Sequence, residues 1–189
     1  MNNILKNFQH LMWYPDEDFF HYLDSLERKI SNLNDEELDN EMSKIKVSFN
    51  KFSLTKLEEL YSQSFDWNVT HSLYIGYYLF GETYFRSNFL SNLLDIFKRF
   101  NYRSTISDLT DHLAILLDFT ASCLKGNEQR EFIDSILITG LDKLLNISLH
   151  QIGKNNSSFT MRNPYFLLLS FLFKFLTSYI SKEIIITTI

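Results

Sequence analysis

Residues 109–124 read LTDHLAILLDFTASCL and hold the longest apolar run in the middle of the chain. Lys125-Gly126 follows this run, and glycine readily adopts the left-handed conformation that ends many helices. The pattern therefore predicts a helix from Leu109 to Leu124 with an apolar face turned to a core. That face consists of leucines at steps of three or four residues: Leu109, Leu113, Leu116 and Leu117.

The same predicted helix carries two carboxylates. On a helix from Leu109, Asp111 and Asp118 fall on a different face, two turns apart. That separation is too wide for a shared proton and suits a basic partner. The alternative is that Asp111 only favours the helix N-terminus, that Asp118 faces water and that His112 is a structural histidine. The sequence leaves both interpretations open.

Helical spacing extends toward the N-terminus. We expect Thr55 and Glu58 to form a capping box and Gly81 to precede a long helix. The acidic stretch Asp35-Glu36-Glu37 suits a first helical turn. Three sets of apolar residues predict the helices: Phe19, Leu23, Leu26 and Ile30; Leu38, Met42, Ile45, Phe49 and Phe52; and Phe85, Phe89, Leu93 and Ile96.

The C-terminal part has helices around one clear loop. We predict a helix over Asn127–Ile152, despite Gly140, and a loop over Gly153–Asn163. Pro164 suits the first turn of a further helix. The β-branched tail Ile184–Ile189 fits either a frayed end or a short strand.

The composition supports one helical domain. The chain has 189 residues, of which 45% are hydrophobic, but only 5 are glycine and 2 proline, fewer than turn-rich β folds usually need. At this length a single core can form without disulfides or a structural metal. We predict an all-α, single-domain helical bundle over residues 1–189, with the helices around Leu60, Phe89 and Leu113 at its centre.

Composition and spacing argue against several functions. A net charge of −5 disfavours nucleic-acid binding. The five histidines are scattered and there is no glycine-rich loop, so neither a metal site nor a nucleotide site is expected. Cys123 is the single cysteine, and on a helix it lies about three turns from His112, too far for a catalytic pair. We expect no catalytic residues and no cofactor.

One segment resembles a membrane span. Tyr165–Ile180 is strongly apolar, but Lys174 interrupts it and about 20 continuous apolar residues are normally needed to cross a bilayer. A buried core helix is the preferred interpretation. Met1–Leu11 has no pattern of an export signal.

Two motif blocks are informative about family. The first runs from Leu60-Tyr61 through Ser64-Phe65-Asp66, His71-Ser72-Leu73-Tyr74 and Gly81-Glu82 to Arg86. The second is the stretch Leu109–Phe119 with its Asp111-His112 pair. Both blocks resemble the nitrate reductase delta-subunit chaperones, which are related to the wider group of redox-enzyme maturation chaperones, and Tyr14-Pro15-Asp16 also suits that family. The close similarity covers about Leu57–Ala121.

This sequence departs from the family pattern at several positions. Thr110 and Ala114 stand where the family has prolines, and Asp118 replaces a glutamate. Tyr84 replaces an arginine and Ser87 a glycine. These departures indicate a divergent member, or one that serves a related reductase.

The resemblance implies a cytoplasmic assembly chaperone that performs no reaction. Its partner would be the catalytic subunit of a molybdenum-containing reductase, with respiratory nitrate reductase as the first candidate, and it would bind that subunit's N-terminal peptide and hold the apo-enzyme for cofactor insertion. An amphipathic peptide could lie in an aromatic-lined helical groove while carboxylates pair with its charges. The residues expected to bind it are Tyr74, Tyr78, Arg86, Asp111, His112, Asp118 and Phe119.

Two other functions compete with this hypothesis. One is a membrane-associated accessory subunit anchored by the apolar helix after Pro164. The other is an enzyme with an unrecognised site, which is weaker because no nucleophile, base and orienting group can be assembled from these spacings. Any aromatic residue of the expected groove could equally be ordinary core.

Overall fold

Amphipathic helices account for most of the chain in the computed structural model, which describes residues 1–67, 71–152 and 163–187. No strand is present in these described ranges, so the predicted all-α, single-domain bundle is confirmed. Two π-helical turns, Ser62–Asp66 and Ile133–Ile138, extend α4 and join α8 to α9. The α-helices are α1 (Asn2–Leu11), α2 (Phe19–Ser31), α3 (Glu36–Phe49), α4 (Leu54–Tyr61), α5 (Ile75–Phe80), α6 (Tyr84–Arg99), α7 (Leu113–Ser122), α8 (Gly126–Phe132), α9 (Thr139–Ile152) and α10 (Pro164–Thr187).

The N-terminal helices follow the apolar spacing of the sequence. All predicted apolar positions of α2, and those of α3 through Phe49, are buried. Asp35 caps α3 by accepting a hydrogen bond from the backbone N–H of Leu38 at 3.2 Å. Phe52 lies beyond the end of α3, because the helix stops at Phe49. The predicted helices are therefore confirmed, apart from that boundary.

The start of α4 corrects the predicted capping box. Ser53, rather than Thr55, is the N-cap, and its hydroxyl accepts from the backbone N–H of Lys56 at 3.3 Å. Thr55 is already inside the helix. Serine caps a helix as well as threonine does, so the two candidates could not be separated by residue type alone.

The helix predicted over Leu109–Leu124 is shorter at both ends. It begins at Leu113, with His112 as its N-cap, and ends at Ser122. Gly126 does not end α7. Its backbone is left-handed, with φ 55°, and it opens α8.

The predicted centre of the bundle is partly wrong. Eight of the ten residues of α7 are buried, so the helix of Leu113 is central. The long helix after Gly81 is confirmed as α6, but only its Leu93 and Phe97 are buried. The helix of Phe89 therefore lies at the periphery, and part of its apolar surface is not covered by another described helix.

The C-terminal helices partly match expectation. The helical prediction for Asn127–Ile152 is confirmed, and Pro164 opens α10. Of the loop predicted over Gly153–Asn163, residues 153–162 lie outside the described ranges. The tail is helical through Thr187 rather than a strand, and residues 188–189 also lie outside the described ranges.

An aromatic cluster joins α10 to the N-terminal half. Tyr165 is fully buried, and its ring centroid lies 5.2 to 6.2 Å from four other rings. Its hydroxyl donates to the backbone carbonyl of Leu57 at 3.2 Å. Such ring pairs contribute roughly 0.5–1.5 kcal/mol each beyond the burial of their area. The four rings belong to Phe19, Phe49, Tyr61 and Phe65.

Helix α10 passes a length and composition test for a membrane span. The 18-residue window Pro164–Ser181 is apolar enough, and 50% of it is buried inside the bundle. Lys174 pairs with Glu37 at 2.7 Å and with Glu41 at 2.5 Å, both on α3. Core helices of helical bundles are also long, apolar and partly buried, so the length and composition of α10 are weak evidence for a membrane span.

Candidate functional site

A short backbone bridge joins the two motif blocks. The N–H of Ile75 donates to the carbonyl of Asp111 at 2.9 Å, and the N–H of Leu113 donates to the carbonyl of Leu73 at 2.8 Å. Tyr74 and His112 face each other as an isolated antiparallel β-bridge. Stretches far apart in sequence are thereby fixed side by side, at the start of both α5 and α7.

His112 serves as the N-cap of α7. Its Nδ1 accepts a hydrogen bond from the backbone N–H of Ala114 at 3.2 Å, which places the proton of the neutral ring on Nε2. Burial lowers the pKa of His112 to about 4, opposed by the negative charge of Asp108. The rings of Trp13 and Tyr74 meet it edge-on, with centroids at 4.9 and 5.4 Å. His112 is therefore held neutral and fixed in orientation near pH 7.

Asp111 is fully buried and paired inside the protein. Its Oδ2 accepts from Nε of Arg86 at 2.9 Å, and the side chain of Arg86 is itself only 16% exposed. Gly76 makes room for this carboxylate, because a Cβ at that position would lie 2.5 Å from Oδ2. Removing one member of such a pair leaves an uncompensated buried charge. Asp111 therefore fixes Arg86 against the bridge.

Tyr74 connects this ion pair to the surface. The guanidinium carbon of Arg86 lies 5.6 Å from the centroid of the Tyr74 ring, within the range of a cation–π contact. The Tyr74 hydroxyl donates to Oδ1 of Asp108 at 2.9 Å. Burial, together with this hydrogen bond, raises the pKa of Tyr74 to about 12. The phenol therefore keeps its proton and stays a donor to Asp108.

The sequence predicted that Asp111 and Asp118 share one face of a helix, and this prediction is wrong. Asp111 precedes α7 rather than lying on it, so the two-turn spacing does not exist. The Asp118 carboxylate instead pairs with Lys6 of α1 and accepts from the hydroxyl of Tyr102 at 2.7 Å. Both carboxylates have partners within the chain. Neither interpretation of the sequence included these internal ion pairs. The residue that caps α7 is His112, not Asp111.

The two remaining expected residues lie in different surroundings. Phe119 is fully buried, in ring contact with Phe97, Phe132 and other aromatic residues. Tyr78 is buried, and its hydroxyl donates to the carbonyl of Ser72 at 2.8 Å. The structure thus brings Tyr74, Arg86, Asp111 and His112 together but separates Asp118 and Phe119 from them. The roles of all these residues in peptide binding stay predictions.

A groove between α6 and the α8–π segment was missed from the sequence. Its cavity volume is about 400 Å³. The apolar spacing of α6 was seen, but spacing alone could not show that one side lacks a partner. The groove has an apolar lining of Phe89, Leu93, Ile96, Phe100, Phe119, Leu124, Phe132 and Ile136, and a polar lining of Asn92, Arg99, Glu128, Glu131 and Ser135.

A smaller cavity lies against the bridge, and we name it the bridge pocket. Its volume is about 180 Å³. The two carboxylates beside it, Asp66 and Asp108, are exposed. The sequence had placed Asp66 in a family motif without assigning it a role, and Asp108 was not singled out. The pocket is lined by Trp13, Tyr14, Tyr61, Phe65, Asp66, Leu73, Tyr74, Asp108 and His112.

The described side chains offer no cluster of metal ligands. Within the described part of the chain, no three histidine, cysteine, aspartate or glutamate side chains are grouped so as to hold a metal ion. Cys123 is a free, partly buried thiol whose pKa is raised by burial. A thiol with a raised pKa is a poor nucleophile at neutral pH.

The chain matches a known protein family. A family model described as nitrate reductase delta subunit matches residues 31–148. This range includes both motif blocks, the bridge and all of the residues that line the groove. No individual curated protein matches the chain significantly.

Proposed function

Because the chain belongs to the nitrate reductase delta subunit family, whose members act in the maturation of molybdenum enzymes, we propose that it binds the N-terminal peptide of a reductase catalytic subunit. The chaperone holds that subunit as the apo-enzyme in the cytoplasm until cofactor is inserted, and it performs no reaction itself. The observation that carries this proposal is the family match over residues 31–148. Respiratory nitrate reductase is the first candidate client.

The α6–α8 groove is the proposed seat of the peptide. Recognition of an amphipathic helix requires an apolar groove that accepts residues from successive turns. The wall consists of Phe89, Leu93 and Ile96 of α6 and of Phe100 at its C-cap, which follow steps of four, three and four and are therefore continuous.

Charge at the groove favours a basic peptide. Glu128 and Glu131 are exposed carboxylates at its border, whereas Arg99 is the one cation among the described residues that line it. We therefore assign the pairing with client charges in the groove to these glutamates, rather than to Asp111 and Asp118. At an exposed rim such pairs set register and association rate more than affinity.

The bridge supports the groove from one end. Tyr74, Arg86 and Asp111 tie the start of α6 to the start of α7, and Phe119 of α7 lines the groove. Arg86 and Asp111 are thus positioning residues, whose loss disturbs the relation of the two helices. Direct pairing of Asp111 with a client is disfavoured because the carboxylate is buried.

Calorimetric titration with a synthetic peptide of the client's first residues tests this function. We expect binding with a negative heat-capacity change, since apolar surface is buried. Phe100 is 36% exposed at the groove, and Phe100→Ala should weaken binding about tenfold. Leu94→Ala is the matched control, because Leu94 is 48% exposed on the same helix but does not line the groove.

The same titration distinguishes the alternatives. Equal binding of a peptide with scrambled order would exclude groove docking. Preferential binding of a peptide from another molybdenum reductase would keep the chaperone function and replace nitrate reductase as the client. Recovery of the intact protein only with detergent would favour an accessory subunit anchored by α10.

A further inference from the structure

The ion pair between Arg86 and Asp111 uses only one of the two hydrogen bonds that its groups can form with each other. Nε of Arg86 donates to Oδ2 of Asp111 at 2.9 Å. Nη2 of Arg86 and Oδ1 of Asp111 are both buried, and neither forms a hydrogen bond with a described residue. Arginine and carboxylate side chains frequently pair through two parallel N–H···O bonds. The second bond of this fork is open.

The two unused atoms lie on the same side of the pair. Nη2 is the terminal nitrogen on the side of the guanidinium that carries the Nε–H, and Oδ1 shares its carbon with Oδ2. The contact between Nε and Oδ2 therefore keeps Nη2 and Oδ1 close together. Nη2 can only donate and a carboxylate oxygen can only accept. A group that satisfies both must accept from Nη2 and donate to Oδ1.

Thr110 adds a third buried polar atom beside this opening. Thr110 directly precedes Asp111 in the chain, and its hydroxyl oxygen Oγ1 is buried without a hydrogen-bond partner among the described residues. A hydroxyl can both donate and accept. Folded proteins seldom leave such buried groups unsatisfied, and where the protein itself offers no partner an internal water commonly serves.

Water suits these three atoms better than an ion does. A cation would be repelled by the guanidinium of Arg86 and an anion by the carboxylate of Asp111, whereas a neutral molecule meets neither penalty. An internal water typically forms about three hydrogen bonds, which is the number of unused atoms available. Asp111 is 0% exposed, so such a molecule would be enclosed by the fold rather than part of the bulk solvent.

We propose that one internal water molecule completes the Arg86–Asp111 pair, accepting from Nη2 and donating to Oδ1 and to the hydroxyl oxygen of Thr110. The water closes the fork while the guanidinium carbon keeps its place 5.6 Å from the centroid of the Tyr74 ring. The site is particular to this sequence, because Thr110 stands where the family pattern has a proline, which offers no hydroxyl. It requires no client and is independent of the proposed function.

High-resolution crystal structures of the intact protein and of Thr110→Val provide the first test. The intact protein should show one ordered water within about 3.2 Å of Nη2, Oδ1 and Oγ1. Valine keeps the shape of the side chain but removes the hydroxyl, so the occupancy of this water should fall by at least about half. A direct bond from Nη2 to Oδ1 in the intact protein, or an unchanged occupancy in the valine variant, overturns the proposal.

Chemical denaturation provides the second test. Thr110→Val should raise the equilibrium constant of unfolding about tenfold, because the water and its two other partners lose a hydrogen bond. Thr105→Val changes an exposed threonine of the same connection and should alter that constant by less than about twofold.

The last comparison shows whether the hydroxyl acts through the ion pair. In a chain that already carries Asp111→Asn with Arg86→Met, the groups that order the water are gone, so Thr110→Val should alter the unfolding constant by less than about twofold. An equal, tenfold effect of Thr110→Val in both chains would mean that the hydroxyl stabilises the fold without the pair, and it would overturn the shared water site.

Discussion

Gly76 lies so close to Asp111 that a single added methyl group would come within 2.5 Å of the carboxylate oxygen Oδ2 that binds Arg86. Phe89 encloses the same space, at 3.0 Å from that methyl position. The absence of a side chain at Gly76 is therefore a condition for the buried ion pair. Its consequences can be measured separately from any client.

Gly76→Ala should destabilise the protein by about 1–3 kcal/mol, because the methyl group must displace either the carboxylate or the Phe89 ring. Chemical denaturation gives the free energy of unfolding. Ser91→Ala, at an exposed position of α6, should change that free energy by less than about 0.5 kcal/mol. Equal stability of the two variants would show that the packing around Gly76 yields easily.

Asp111→Asn should lower the free energy of unfolding by about 3 kcal/mol, because the charge of Arg86 loses its buried partner. Adding Arg86→Met to the same chain should restore part of this loss, which a double-mutant cycle measures. An Asp111→Asn variant with unchanged melting temperature and lost peptide affinity would instead support the direct client contact expected from the sequence.

Acid should destabilise the protein partly through His112. Its pKa in the fold is about 4, below the ordinary value of 6.5, so the unfolded chain binds more protons between these values. The stabilisation from neutral His112 is complete above about pH 6.5 and is lost as the pH falls toward 4, where the loss reaches about 3 kcal/mol. His112→Asn keeps a good N-cap and should remove this component. The measurement is the difference in unfolding free energy between the two proteins from pH 4 to pH 7.

The groove glutamates should control the salt dependence of peptide binding. Glu128→Gln with Glu131→Gln removes two exposed charges and should flatten the decline of the association rate with salt, with only a small effect on dissociation. Stopped-flow kinetics at several salt concentrations checks this. A large increase in dissociation rate would mean that these carboxylates are covered in the complex.

The periodicity of apolar residues was sufficient to locate the helices whose position is set by local sequence. Helices α2, α3 and α6 lie where apolar spacing placed them. The start of α7 was wrong because the N–H of Leu113 bonds to the carbonyl of Leu73, a contact between distant parts of the chain. No local pattern around Leu109 carries that information.

Four of the seven residues expected to bind a peptide lie together in the structure, but the sequence did not predict how they pair. Arg86 and Asp111 were both singled out, each for binding a client, and the structure pairs them with one another. Phe119 was expected beside Tyr74 but lies among the aromatics of α6 and α8. Residue types identified candidates, whereas pairing and burial depend on how the helices pack.

The bridge at Tyr74 and His112 also affects how the fold can vary. It closes a loop that begins at Leu73, contains α5 and α6, and returns at Leu113. Lengthening a closed loop adds little entropic cost, so insertions in the connection between α6 and Leu109 should change the free energy of closing this loop only slightly. The proposed binding wall is thus carried on a segment anchored at both ends. Substitutions at its less buried positions, with the buried Leu93 and Phe97 kept, therefore give an engineering route to altered client choice on an unchanged helical scaffold.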